Sequence, residues 1–105
     1  MIYGLKKSII ESICNVFELF PEIEEVIVYG SRAKGNYKNG SDIDITLLGE
    51  FIDLSLVSKI ELNLDNLFLP YQFDISIFNQ ISNTELREHI NRVGKSFYKK
   101  NNLKL

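Results

Sequence analysis

The chain has 105 residues, a formal net charge of −2 and a single cysteine, Cys14, so it fits one domain, carries no internal disulfide and has no bulk attraction to nucleic acid or to an anionic membrane. Its 45% hydrophobic and 25% charged residues are ordinary for a globular fold, and no apolar run approaches the ~20 residues needed to span a bilayer. The opening MIYGLKKSII lacks a small-residue cleavage pattern and does not read as a signal peptide, so the expectation is a cytoplasmic protein in which any anion site is local.

Leu5, Ile9, Ile13, Val16 and Phe20 recur at helical spacing, and Ile10 and Phe17 broaden the stripe. This predicts an amphipathic helix ending near Pro21, with Cys14 as a small core residue rather than a nucleophile. Residues 25–29, EVIVY, are rich in β-branched side chains and stop at Gly30, which predicts a strand. Residues 31–34 can open a short helix, and residues 35–40, GNYKNG, form a loop dense in turn formers. Residues 42–48 read as a second strand. Leu54, Val57, Ile60, Leu64 and Leu67 then mark a helix closed by Pro70. Residues 72–78 read as a third strand. Ser82-Asn83-Thr84-Glu85 matches a capping box, Leu86, Ile90 and Val93 continue a last helix, and Gly94 stops it. The remaining YKKNNLKL reads as a fraying basic tail. The order predicts an α/β (α+β) fold in one domain over residues 1–105, a small mixed β-sheet flanked by helices.

Two features carry chemistry. Side chains alternate along a strand, so Asp42 and Asp44 share one face while Ile43 and Ile45 share the other. Like charges on one face repel unless a cation lies between them. Asp74, between Phe73 and Ile75, can join them if the second and third strands are neighbours. Oxygen-only donors suit a hard cation such as Mg²⁺, and two such ions ~4 Å apart form the clamp used in phosphoryl and nucleotidyl transfer. A D-x-D pair alone is equally an ordinary surface pair; Asp53 and Asp65, in a loop or on the polar side of a helix, are read as solvated. The second feature is the Gly30-Ser31 turn between a strand and a helix. Free backbone N–H groups there can hold a phosphate, with the Ser31 hydroxyl, Arg32 and Lys34 nearby. A lone Gly-Ser is more often an ordinary helix cap.

The combination is specific. Gly30-Ser31-Arg32-Ala33-Lys34-Gly35, followed by Asp42-Ile43-Asp44 and a third-strand Asp74, resembles the minimal nucleotidyltransferases of the DNA polymerase β superfamily, whose signature is G-S-x-A-x-G followed by D-x-D. The resemblance implies the polymerase β-like nucleotidyltransferase fold. It implies that Gly30 and Ser31 hold the triphosphate of a nucleoside triphosphate such as ATP, with help from Arg32 or Lys34. Asp42, Asp44 and Asp74 would carry Mg²⁺, two ions in all, and Asp74 would assist deprotonation of an acceptor hydroxyl. Minimal members of the family pair with HEPN-domain proteins, and the best understood pairs are toxin–antitoxin systems in which AMP is placed on a toxin tyrosine. The rival readings are a contact-only partner-binding module with a vestigial nucleotide site, and a small-molecule, antibiotic-type nucleotidyltransferase.

Other residues are read more plainly. Gly94-Lys95-Ser96 is not a P-loop, because His89 stands where its first glycine belongs. His89 reads as a surface or boundary residue. Tyr37 and Tyr71 could stack on a base, although packing or surface roles suit each of them better.

Overall fold

A computed structural model describes residues 1–100. The first helix, α1, spans Lys7–Glu18 and is followed by strand β1, Glu25–Tyr29. A one-turn helix α2, Gly30–Lys34, leads through a loop to β2, Ile43–Leu48. Helix α3, Leu54–Asp65, crosses over to β3, Phe73–Ile77, and a 3-10 turn at Phe78–Gln80 precedes α4, Thr84–Val93. A fourth strand, β4, Lys95–Lys99, completes the fold. The strand order is β3-β2-β1-β4; β1 runs antiparallel to both β2 and β4, and β2 runs parallel to β3. This is the mixed sheet with flanking helices that the element order predicts. Among the described residues no helix is long and apolar enough to cross a membrane.

Register divides the sheet into two chemically different faces. Val28 lies opposite Ile45, which lies beside Ile75; Val26, Leu47 and Ile77 make the next such row. Val26, Val28, Ile45, Leu47 and Ile77 join Ile13, Val16 and Phe17 of α1 and Leu56, Val57, Ile60 and Leu64 of α3 in one buried cluster. Each aliphatic side chain so buried contributes about 1.5–3 kcal/mol before the entropy of ordering it is subtracted. The other face carries the rows Tyr29–Asp44–Asp74 and Ile27–Thr46–Ser76. Period-2 alternation therefore puts the aliphatic rows that join α1 and α3 on one side and the acids on the other.

Several boundaries differ from expectation. Leu5 is fully buried but lies outside α1, because Tyr3 and Gly4 both take left-handed φ values and Ile2 and Leu5 exchange backbone hydrogen bonds at 3.1 and 2.8 Å. A left-handed pair cannot continue a right-handed helix, so the helix begins after it. The cap of α4 is Asn83, whose side chain accepts from Leu86 N at 3.0 Å, rather than Ser82. Asp53 is exposed, yet it caps α3 by accepting from Leu56 N at 2.9 Å.

The largest difference is β4. The segment expected to begin a fraying tail at Tyr98 belongs to a strand through Lys99, and Lys100 N still donates to Glu24 O at 2.9 Å. Phe97 anchors it: the ring is 9% exposed, stacks on Tyr3 at 5.9 Å and meets Phe17 edge-on at 6.3 Å. Cys14 Sγ donates to Phe97 O at 3.6 Å, and burial pushes its thiol pKa up, as suits a packed side chain. Residues 101–105 of the expected tail lie outside the described residues. Phe97→Ala should therefore lower unfolding stability by about 3 kcal/mol, read as a lower urea midpoint. A change below about 0.5 kcal/mol would mean that β4 does not hold the core.

Candidate active site

The site is built where three strands bring one residue each to the same row. Tyr29 ends β1, Asp44 is its partner on β2, and Asp74 is the partner of Asp44 on β3. The parallel pairing places the two acids side by side. Asp42 stands one residue before β2, because the ladder begins with Ile43 N donating to Gln72 O at 2.9 Å. Asp42 and Asp74 are exposed, whereas Asp44 is half-buried. Burial raises the Asp44 pKa first, the charges of Asp74 and Asp42 raise it further, and His89 lowers it. The structure thus brings the three expected carboxylates into one electrostatic neighbourhood, around a central acid whose charge is disfavoured as it stands.

Among the described residues no three His, Cys, Asp or Glu side chains lie close enough together to be a ready-made metal cluster. The donor chemistry nevertheless fits Mg²⁺. The donors are carboxylate oxygens, they repel one another without a cation, and two of the three are open to solvent.

Gly30 joins the end of β1 to α2 with φ +73°, and a Cβ there would run into the Asp44 carboxylate. Only glycine allows the chain to turn this close to the acid. Ser31 follows and is half-buried; Lys34 is exposed on the same turn of helix. The helix ends at Gly35, whose φ of +89° supplies a left-handed cap. The turn therefore begins at the end of the acidic row, with Ser31 directly after the glycine that touches Asp44.

Arg32 points elsewhere. It is 3% exposed, and its guanidinium donates to Ser41 O from Nε at 3.1 Å and from Nη2 at 2.8 Å, and to Tyr3 O from Nη1 at 2.8 Å. The rings of Tyr71 and Tyr37 flank it at 4.8 and 5.4 Å. Both tyrosines thus pack on a cation within the fold.

The structure adds Tyr29 and Ser76 to the acid face, neither of which the sequence singled out, and it places His89, expected at the surface or its boundary, half-buried beside Tyr29. Tyr29 is 8% exposed; burial raises its phenol pKa, contact with Ser76 works the other way, and Asp74 and Asp44 raise it further. His89 of α4 is half-buried and meets the Tyr29 ring edge-on at 6.2 Å. Alternation from Ile27 would have put Tyr29 on the acid face, but pairing with Asp44 needed the register. Nothing local in α4 marks His89.

The family model for "Polymerase beta, Nucleotidyltransferase" matches residues 11–103. The chain belongs to this family. Its fold is the polymerase β-like nucleotidyltransferase fold, here with a four-stranded sheet. No curated protein sequence matches it. Among solved structures, the chain is similar to a toxin–antitoxin crystal structure with AMP-PNP, at 20% identity and TM-score 0.71, covering 87% of this chain and 73% of that one. It is also similar to a structure of tri-AMPylated Shewanella oneidensis HEPN toxin in complex with MNT antitoxin, at 17% identity and TM-score 0.67, covering 91% and 74%. A third similar structure is a MntA–HepT toxin–antitoxin complex, at 18% identity and TM-score 0.67, covering 90% and 74%. At these identities the likeness is one of fold.

The close approach of Gly30 to Asp44 generates a test. Gly30→Ala should lower stability by about 1–3 kcal/mol, from the left-handed backbone and the displaced carboxylate together. An unchanged denaturation midpoint would mean that the turn relaxes freely.

Proposed function

We propose that this protein is a Mg²⁺-dependent nucleotidyltransferase that moves AMP from ATP to a hydroxyl of a partner chain, a tyrosine of a HEPN-domain toxin being the acceptor that best fits its likeness to toxin–antitoxin structures. One observation carries the reading. In a chain of the polymerase β family, the Asp44–Asp74 row and the Gly30-Ser31 turn meet at the Asp44 carboxylate. A triphosphate held by the turn would present its α-phosphorus to the acids.

In the proposed site, the backbone after Gly30 and the Ser31 hydroxyl bind the phosphates, and Lys34 adds positive charge at the exposed edge. Asp42, Asp44 and Asp74 would hold Mg²⁺, which when bound supplies charge neutralisation and alignment of the phosphates. The acceptor oxygen attacks the α-phosphorus, the bond to the bridging oxygen breaks, and pyrophosphate leaves. The acceptor proton passes to Asp74, the acid on the outer strand. Rigid strands matter because in-line attack is governed by positioning and charge, with little covalent chemistry for the protein itself to perform.

The direct experiment incubates the protein with Mg²⁺, its genomic-neighbour protein and ATP labelled at the α- or the γ-phosphate. Label from the α-position alone should appear on the neighbour protein. Label from the γ-position, or transfer only to free small molecules, would overturn the reading.

Two substitutions refine it. Asp44→Asn should abolish transfer while leaving the metal-free protein as stable as before or more so, since it removes a desolvated charge that Asp74 and Asp42 repel. Millimolar Mg²⁺ should raise the melting temperature of the wild type by binding only the folded state, and Asp44→Asn should remove that rise. Asp74→Asn should lower the maximal rate much more than ATP affinity. Equal losses in both would place Asp74 on the nucleotide rather than at the attacking oxygen.

A further inference from the structure

Arg32 is almost wholly removed from water, yet its partners are carbonyl oxygens and aromatic faces rather than carboxylates. Burying a charge is costly, and here the cost is offset by a two-pronged bond to one oxygen, a third bond to another, and rings on which a flat guanidinium can stack. The space is tailored to it. A Cβ on Gly4 would press on both the Tyr37 ring and Arg32 Nη1.

What the guanidinium joins is more telling than how it is held. Ser41, which accepts two of its bonds, directly precedes Asp42. Tyr71, which flanks it, lies three residues before Asp74, and the intervening Gln72 receives the first ladder bond from Ile43. Arg32 itself follows Ser31. One side chain thus ties together the turn and the two chain segments that deliver Asp42 and Asp74. We infer that Arg32 is a positioning residue that fixes these acids relative to the Gly30-Ser31 turn without itself meeting the nucleotide. The inference rests on the proposed nucleotidyl transfer for its catalytic consequence, although the structural clamp can be tested without it.

The test uses the full chain with Arg32→Lys and Arg32→Met, checked for folding by circular dichroism. Amide hydrogen exchange should quicken in residues 38–44 and 70–76 while α3 stays protected as an internal control. Affinity for Mg²⁺-ATP should change little, whereas transfer to the neighbour protein should fall about 100-fold in both variants, as displaced catalytic groups demand. Lysine keeps the charge but cannot fork onto one oxygen. Rescue of transfer by Arg32→Lys, or a large loss of ATP affinity with unchanged exchange, would overturn the inference in favour of a phosphate contact. If wild type transfers nothing, the proposed function fails while the exchange result still decides the clamp. Should either Arg32 variant fail to fold, Tyr71→Leu, which removes one wall and keeps the cation, decides in its place. Faster exchange confined to the same two segments supports the clamp, and unchanged exchange refutes it.

Discussion

Asp44 and Asp74 lie side by side because β2 and β3 run parallel in register, and this one juxtaposition shapes the rest of the molecule. It sets like charges on neighbouring strands, which is unfavourable, and Asp44 registers this in a raised pKa caused first by burial and then by its neighbours. The opposite face offsets the strain. Every step that turns Asp44 toward the acids turns Ile43 and Ile45, both at most 1% exposed, into the core. A one-residue slip would send those isoleucines to solvent and the aspartate among Leu47 and Val57, so the core that stabilises the sheet also enforces the register of the acids. Parallel pairing requires a crossover, and α3 supplies it while adding Leu56, Val57, Ile60 and Leu64 to the same core.

The same constraint explains the turn. With Asp44 half-buried between Tyr29 and Asp74, the chain leaving β1 must pass over its carboxylate, and a side chain at residue 30 has no room. The glycine that makes that passage is followed directly by Ser31, and Arg32 turns inward. The helix that follows lasts five residues, too short to hold itself by propensity, and its tertiary contacts to β1 and α4 fix it instead.

Much of this was legible in the order of residues. Alternation along residues 42–48 put Asp42 and Asp44 on one face, Asp74 could join them only if the second and third strands were neighbours, and the G-S-x-A-x-G and D-x-D spacing pointed to the family to which the chain belongs. What was not legible depended on contacts distant in sequence. KSFYK carries one buried aromatic between charged ends, so its strand character comes from pairing with β1 rather than from its own pattern. Asn83 displaced Ser82 as a cap by a shift of one residue, the scale on which helix ends are ambiguous. The inward course of Arg32 required knowing that Tyr3, Ser41 and Tyr71 converge, three segments that no local window contains. His89 was legible as a boundary residue, but its place beside Tyr29 follows from the packing of α4 on β1.

The sheet order also makes the two paired acids unequal. Asp44 lies on an inner strand with Tyr29 on one side, whereas Asp74 lies on the edge strand and is exposed. Among the described residues no further strand stands beyond β3, so Asp74 is the more open of the two acids. On the proposed reading, the nucleotide then occupies the inner position, toward Gly30 and Ser31, and the acceptor arrives over Asp74. That division would assign the half-buried acid to the substrate that must be held and the open acid to the hydroxyl that must come and go. On that reading the proton acceptor would stand where water can carry the proton away, since Asp74 is exposed and Asp44 is half-buried.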